Sequence, residues 1–90
     1  MFKMEARLDG RKVVLRLSGR MQVTHLEQLR ARIGKNMRSV ALDLEEVTLV
    51  DIDVVGFLGA CESQGIELRH CAPYIREWIL RESDRNDRNF

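Results

Sequence analysis

The sequence predicts one small α/β domain in which helices cover mainly one face of a four-stranded sheet, in the order ββαβαβα. Polar and apolar residues alternate over residues 3–18 and 66–71, which is typical of strands with one wet face. Between and after them, apolar residues recur at the three- and four-residue spacing of amphipathic helices. The 90 residues suffice for one domain but leave little core for an enclosed active site.

A β-hairpin opens the chain. Apolar residues occupy every second position over residues 4–8 and again over residues 13–17, which predicts two strands. Asp9-Gly10 between them is a tight-turn dipeptide, because glycine readily adopts positive φ. The two strands are therefore expected to pair antiparallel.

A helix and a buried strand follow the hairpin. Thr24 and Glu27 match the S/T-x-x-E capping box of a helix start, and Gly34 is a typical residue just past a helix end. Residues 40–44 form a short and mostly apolar run, which predicts a well-buried central strand.

The second helix is predicted over residues 54–64, with Asp53 as its N-cap and Gly65 as its stop. The segment is apolar on nearly every side up to Glu62, which predicts either heavy burial or an exposed docking surface. Gly56 and Gly59 disfavour a helix interior, so we expect them to permit close backbone packing against the sheet.

A fourth strand and a last helix complete the predicted domain. Ile66, Leu68 and His70 share one face of the strand, and Pro73 suits the first turn of the helix. The domain is predicted to comprise residues 1–82, followed by a polar, frayed tail over residues 83–90.

Composition excludes several classes of protein. The formal net charge is +1, without the basic excess expected of a protein that binds nucleic acid or a membrane surface. No apolar run is long enough to span a bilayer, and the N-terminus lacks the apolar core of a signal peptide, so we expect a cytoplasmic location. Cys61 and Cys71 are too few for a disulfide scaffold, which fits a reducing compartment and inert thiols.

We expect neither catalysis nor a bound metal or cofactor. His25 and His70 have no evident nucleophilic partner, no phosphate-binding glycine loop is present, and the cysteines and histidines lack zinc-site spacing. Three carboxylates, of Asp43, Asp51 and Asp53, could suit a hard cation. Asp43 lies within a predicted strand and the other two lie beyond its end, so a helix cap and solvent exposure explain them better.

Three stretches of the chain resemble the STAS domain of bacterial anti-sigma factor antagonists. They are RLSGRM (16–21), ALDLEEVTLVDIDVVGFLGAC (41–61) and QGIELRHCAPYIREWIL (64–80). The most distinctive is a strand of the form hLDLxxVxhhD followed at once by an apolar helix that contains glycine. The resemblance implies a mixed four-stranded sheet and a non-enzymatic domain that regulates transcription by binding a protein partner.

The resemblance also directs attention to residue 53. In phosphorylatable members, a kinase-type anti-sigma factor modifies a serine in a D-S-S-G-like word at the start of the second helix, and the unphosphorylated domain captures that anti-sigma factor. Here the word reads Asp51-Ile52-Asp53-Val54, so Asp53 occupies the phosphoacceptor position. Either Asp53 holds the domain in a phosphorylated-like state, or the domain docks on its partner constitutively. Both hypotheses predict no phosphorylation switch at this position.

We expect a partner-docking surface made of Asp51, Asp53, Val54, Phe57 and Leu58. The expected partner is an anti-sigma factor or a related regulator, with no nucleic acid and no membrane insertion, and a homodimer stays open. Two alternative functions also stay open. One is a small STAS subunit that binds the ATPase of an ABC-type transport complex, and the other is a small-ligand or nucleotide-binding sensor.

Charge is segregated along the chain. Residues 1–38 carry a net charge of +7, residues 39–68 carry −7, and the remainder carries +1. The acidic segment contains the expected docking surface, so we expect the partner to present a basic face there.

Overall fold

The computed structural model describes residues 2–35 and 39–87, and side chains over residues 2–34 and 39–82. Its elements are β1 (Lys3–Asp9), β2 (Lys12–Arg20), α1 (Val23–Lys35), β3 (Val40–Leu49), α2 (Ile52–Ser63), β4 (Glu67–Arg69) and α3 (Pro73–Asp87). The predicted fold class and element order are confirmed. α3 continues past Leu80 into the predicted tail, of which residues 88–90 lie outside the described residues.

A single mixed sheet with the strand order β1-β2-β3-β4 forms the frame of the domain. β1 and β2 pair antiparallel, and Gly10 turns the chain between them at a φ of +66°. β2 pairs parallel with β3, and β3 pairs parallel with β4, because α1 and α2 each carry the chain back to the same end of the sheet. β3 extends to Leu49, well beyond the predicted 40–44 segment.

The hydrophobic core lies between one face of the sheet and the helices. Alternate residues of β2 and β3 point into it, as the two-residue period of a strand requires. Its fully buried members include Leu15, Leu17, Leu29, Leu42, Val54, Val55, Leu58 and Ile75. Because these residues come from all three helices and both central strands, the core ties every large element to the sheet.

Charged side chains cover the opposite sheet face. Val14 and Ala41 pair across β2 and β3 on this face, and both are fully buried. An ion-pair network, with N···O distances of 2.9 to 3.2 Å, joins Asp9, Lys12, Glu67 and Arg69 across the sheet. The alkyl stems of long charged side chains shield apolar surface while their charged groups stay in water, which explains how this pair is buried without a second helix layer.

The start of α1 differs from the prediction. The helix begins at Val23, ahead of Thr24, which was expected to be its cap. The Gln22 N–H donates to Nδ1 of His25 at 3.1 Å, and the His25 N–H donates to the Gln22 carbonyl oxygen at 2.9 Å. Gly34 lies within α1 instead of just past its end. A histidine therefore supplies the reciprocal bond that the predicted capping box assigned to Glu27.

The C-terminal end of α2 and the start of α3 follow the sequence closely. Gly65 adopts a φ of +96° just past α2, and the Ile66 N–H donates to the Cys61 carbonyl oxygen at 3.0 Å, which closes a Schellman motif. Pro73 is the first residue of α3, as predicted. The turn that ends α2 needs a φ in the left-handed region at residue 65, and glycine adopts this φ without the strain that a side chain would cause.

Gly56 does not have the packing role that its sequence position suggested. A Cβ built at this residue meets no heavy atom within 4 Å, and the residue is exposed on α2. The prediction that it permits close packing against the sheet is therefore wrong, while the same prediction for Gly59 stays a prediction. No contact within the described chain requires a glycine at position 56.

Candidate functional site

Asp51, and not Asp53, caps α2. Asp51 has extended backbone angles (φ −109°, ψ 178°), and its Oδ1 accepts a hydrogen bond from the Val54 N–H at 2.9 Å. This bond satisfies one of the donors left unpaired in the first turn of a helix. The sequence-based assignment of the cap to Asp53 is wrong because α2 begins two residues earlier than predicted.

Asp53 lies in the first turn of α2, with its side chain exposed to solvent. A carboxylate at this position interacts favourably with the positive end of the helix dipole. No ion pair joins Asp53 to a basic group among the described side chains. Its charge is therefore available to a partner at the position where the resemblance places a phosphorylated serine.

Two residues of the expected docking surface belong to the core instead. Val54 and Leu58 are both fully buried. They lie on the side of α2 that packs against the sheet, so they cannot contact a docked protein directly. Phe57 is half-buried, and its ring lies beneath the Arg30 guanidinium, 5.3 Å from ring centroid to Cζ. Of the three apolar residues predicted to contact a partner, Phe57 alone retains exposed surface.

Three exposed apolar residues, which sequence reasoning missed, lie at the same end of the sheet as Asp53. Val23 begins α1, Leu49 ends β3 and Ile52 begins α2, and 50–52% of each residue is exposed. The Met21 N–H donates to the Leu49 carbonyl oxygen, which holds the ends of β2 and β3 side by side. These three residues and Asp53 form a surface at the carboxyl ends of the parallel strands, which we call the docking surface. Its members start or end elements, where hydrophobic periodicity gives no signal.

A groove runs between α1 and α2 from the docking surface towards β4. Its volume is about 610 Å³. One wall is formed by Val23, Leu26, Arg30 and Ile33 of α1, and the other by Asp53, Gly56, Phe57, Ala60 and Gln64 of α2, with Ile66 at one end. We call this feature the α1–α2 groove. It is half-open and mostly apolar, which suits a macromolecular surface better than an enclosed small-molecule site.

Part of the acidic segment is neutralised within the fold. Glu46 pairs with Arg16 at 3.0 Å, and Glu62 pairs with Arg76 at 2.6 Å. Glu67 belongs to the ion-pair network on the sheet face opposite the helices. The negative charge of residues 39–68 is therefore only partly offset within the fold, and Asp53 is its clearest unpaired member among the described side chains.

A second polar cluster lies where β3 passes the end of β4. Asp43 is 5% exposed, and its Oδ1 lies 3.1 Å from Nδ1 of His70 and accepts from the Glu45 N–H at 3.1 Å. Ligand atoms of Asp43, Glu45 and His70 all lie within 4.8 Å of one another. His70 adopts a φ of +54° after β4 instead of continuing the predicted strand. No local sequence pattern marks this grouping, because it depends on the register between β3 and β4.

The environment of Asp43 favours its ionised form. Burial by itself raises the pKa of this carboxyl, but the hydrogen bonds from Glu45 and His70 and the nearby charges of His70 and Arg16 outweigh it, so the pKa lies below its ordinary value. The cluster is satisfied internally, since each buried oxygen of Asp43 has a partner. Its geometry fits a structural hydrogen bond that joins β3 to the segment after β4.

The two thiols are poorly suited to nucleophilic chemistry. Burial raises the pKa of the Cys61 thiol to about 11, although the Arg30 charge acts in the opposite direction. Burial also raises the pKa of Cys71. Both thiols are therefore protonated at neutral pH, and the thiolate is the reactive form.

Replacing Asp51 by alanine is expected to lower the free energy of unfolding by about 1 kcal/mol, because the first turn of α2 loses its side-chain cap. Replacing Asp53 by alanine is expected to have a smaller effect, since it removes only a favourable charge at an exposed position. Urea denaturation of both variants measures the difference. A larger loss from Asp53→Ala would contradict the observed cap.

None of the helices that the structure describes is long and apolar enough to cross a bilayer. A scan of protein-family models finds no match to this chain, and a search of curated proteins finds none either. Among solved structures, the anti-sigma factor antagonist SpoIIAA in its unphosphorylated form is similar, with a TM-score of 0.69, 19% sequence identity and coverage of 100% of both chains. The chain therefore has the fold of SpoIIAA, which is the STAS fold that its sequence motifs predicted.

Proposed function

We propose that this chain is an anti-sigma factor antagonist-like regulatory domain that binds a protein partner through the docking surface. The observation that carries the proposal is the full-length likeness to SpoIIAA, together with an exposed, unpaired carboxylate at the start of α2. The half-open shape of the α1–α2 groove and the protonated thiols also favour a binding domain over an enzyme.

The docking surface combines apolar contact with a single charge. Val23, Leu49 and Ile52 supply exposed apolar area, and burial of such area is the main source of affinity in protein interfaces. Asp53 adds an exposed negative charge that a basic residue of the partner would neutralise. The resemblance implies an anti-sigma factor or related regulator as the partner, and this surface would require of it a basic group set in an apolar patch.

Docking is proposed to be constitutive, without a phosphorylation switch at residue 53. Asp53 has no hydroxyl group for a serine kinase to modify. Its carboxylate carries one negative charge, whereas a phosphoserine carries about −1.5 to −2 and three acceptor oxygens, so the mimicry of a phosphorylated state is incomplete. A partner that accepts Asp53 therefore needs no dephosphorylation step before binding.

The test is titration calorimetry of the purified chain with anti-sigma factors encoded in the same genome. Asp53→Lys is expected to weaken binding at least about tenfold, because it places a cation against a basic face. Glu5→Lys, a matched charge reversal on exposed β1, is expected to leave the affinity unchanged. Equal affinity of the parent and Asp53→Lys would show that the docking surface is misplaced.

A phosphorylation assay on the same proteins tests whether docking is constitutive. Incubation with the kinase partner and ATP is expected to label Asp53→Ser but not the parent. Tighter binding by Asp53→Ser than by the parent would show that Asp53 imitates the phosphorylated form, and kinase-dependent labelling of the parent would contradict the absence of a switch.

A further inference from the structure

The α1–α2 groove is an apolar surface that no described element of the chain covers. The wall formed by α2 runs from Asp53 to Gln64, a length of about 16 Å at the rise of an α-helix. Ile33, Phe57 and Ile66 line it and are only partly buried. Contiguous apolar surface of this kind on a small domain marks a site of association.

Two side chains of opposite charge, Arg30 and Asp53, line the groove. The Arg30 guanidinium lies over the Phe57 ring on one side, and Asp53 lies one helical turn before Phe57 on the other. Neither residue forms an ion pair with any side chain that the structure describes. A purely apolar occupant would bury these charges unpaired, which is costly. An occupant that brings one anion and one cation of its own avoids this cost.

Small residues on α2 leave room for close approach. Gly56 and Ala60 lie four residues apart, on one side of the helix, and both line the groove. Glycine inside a helix is about 1 kcal/mol less favourable than alanine, and no contact within the described chain offsets this cost at Gly56. Since nothing within the chain occupies the space beside Gly56, that space is available to a second helix.

We propose that a second copy of this chain occupies the groove, related to the first by a two-fold axis, with the two α2 helices antiparallel across Gly56 and Ala60. In a two-fold interface each contact occurs twice, with the roles of the copies exchanged. Arg30 of each copy then pairs with Asp53 of the other. A surface that holds one unpaired charge of each sign satisfies this reciprocal pairing by itself, whereas a different protein would need a matching pair of its own.

This inference is independent of the proposed function, although both use Asp53. In the dimer, Asp53 is engaged by the other copy, so self-association and partner binding exclude one another at this residue. Dimer formation would then hold the docking surface closed until a partner competes for it.

Sedimentation velocity of the purified chain, from about 1 μM to about 1 mM, tests the proposal. We expect a reversible monomer–dimer equilibrium. Arg30→Asp and Asp53→Arg are each expected to weaken the dimer at least about tenfold, because each reversal disrupts two symmetric pairs. The double variant Arg30→Asp/Asp53→Arg is expected to restore it, since the pairs re-form with exchanged signs. Arg11→Asp, in the exposed β1–β2 turn, serves as the matched control and is expected to change nothing.

Two further variants test the geometry. Gly56→Leu is expected to abolish the dimer without lowering the thermal midpoint, because its side chain fills space that is open within the monomer. A mixture of Gly56→Cys and Ala60→Cys chains is expected to form a covalent dimer under mild oxidation, because the antiparallel two-fold places Gly56 of each copy opposite Ala60 of the other. Glu5→Cys, on β1, is expected to stay monomeric under the same conditions.

A chain that is monomeric throughout the concentration range overturns the proposal. So does a dimer that survives both single reversals, or a double variant that fails to recover, since either result would place the interface elsewhere. These outcomes leave the proposed function standing, because its readout is the affinity of a different protein at concentrations where this chain is monomeric.

Discussion

Replacing Leu58 by alanine is expected to lower the free energy of unfolding by about 2–5 kcal/mol. Leu58 is fully buried within the core cluster, so the change removes apolar contacts and leaves a cavity beneath α2. A small domain is stable by only about 5–15 kcal/mol, so this loss should be visible as a large shift in the urea midpoint.

Ile52→Ala is the matched control for this prediction. Ile52 lies on the same helix but is half-exposed, so its truncation is expected to leave the urea midpoint nearly unchanged while weakening partner binding. A Leu58→Ala variant as stable as the parent, yet defective in partner binding, would place Leu58 on the docking surface and contradict its observed burial.

Replacing Asp43 by alanine is expected to lower the free energy of unfolding by about 2–3 kcal/mol near neutral pH. The variant leaves the Glu45 N–H without its acceptor and removes the partner of His70 Nδ1. Asp43→Asn, which retains the acceptor oxygen but not the charge, is expected to lose less. Urea denaturation at pH 7 compares the two variants with the parent.

The contribution of Asp43 is expected to depend on pH. Its pKa is lower in the folded chain than the ordinary value of 3.8, so the unfolded chain binds the proton more tightly. The stabilisation is therefore complete above the unfolded pKa and is lost as the pH falls through the folded pKa. The difference in unfolding free energy between parent and Asp43→Asn should shrink as the pH is lowered below about 4. A difference that stays constant down to pH 2 would contradict the lowered pKa of Asp43.

Much of the fold could be predicted because its signals are local. The hairpin follows from alternation on either side of Gly10, the end of α2 from Gly65, and the start of α3 from Pro73. Each of these signals depends on the backbone preferences of one or two residues. The start of α1 could not be predicted in this way, because the bond from Gln22 to His25 is an unusual substitute for a capping box.

The candidate site was harder to predict because tertiary packing decides it. Two aspartates, two residues apart, are equally good caps in sequence, and only the bond from Val54 to Asp51 distinguishes them. α2 is apolar on almost every side, so its pattern could not show that Leu58 faces the core while Phe57 remains partly exposed. Similarly, the pairing of His70 with Asp43 depends on the register of β3 and β4, which places Asp43 beside Arg69.

The two outer strands of the sheet bear on how copies of this chain can assemble. β1 carries a charged residue at every second position from Lys3 to Asp9, and β4 is only three residues long. Charged or very short outer strands oppose the addition of further strands, which is the route to fibrous aggregates. Growth of the sheet from one copy into the next is thus disfavoured on both sides, and self-association is directed to the helical layer, where a two-fold contact closes after two copies.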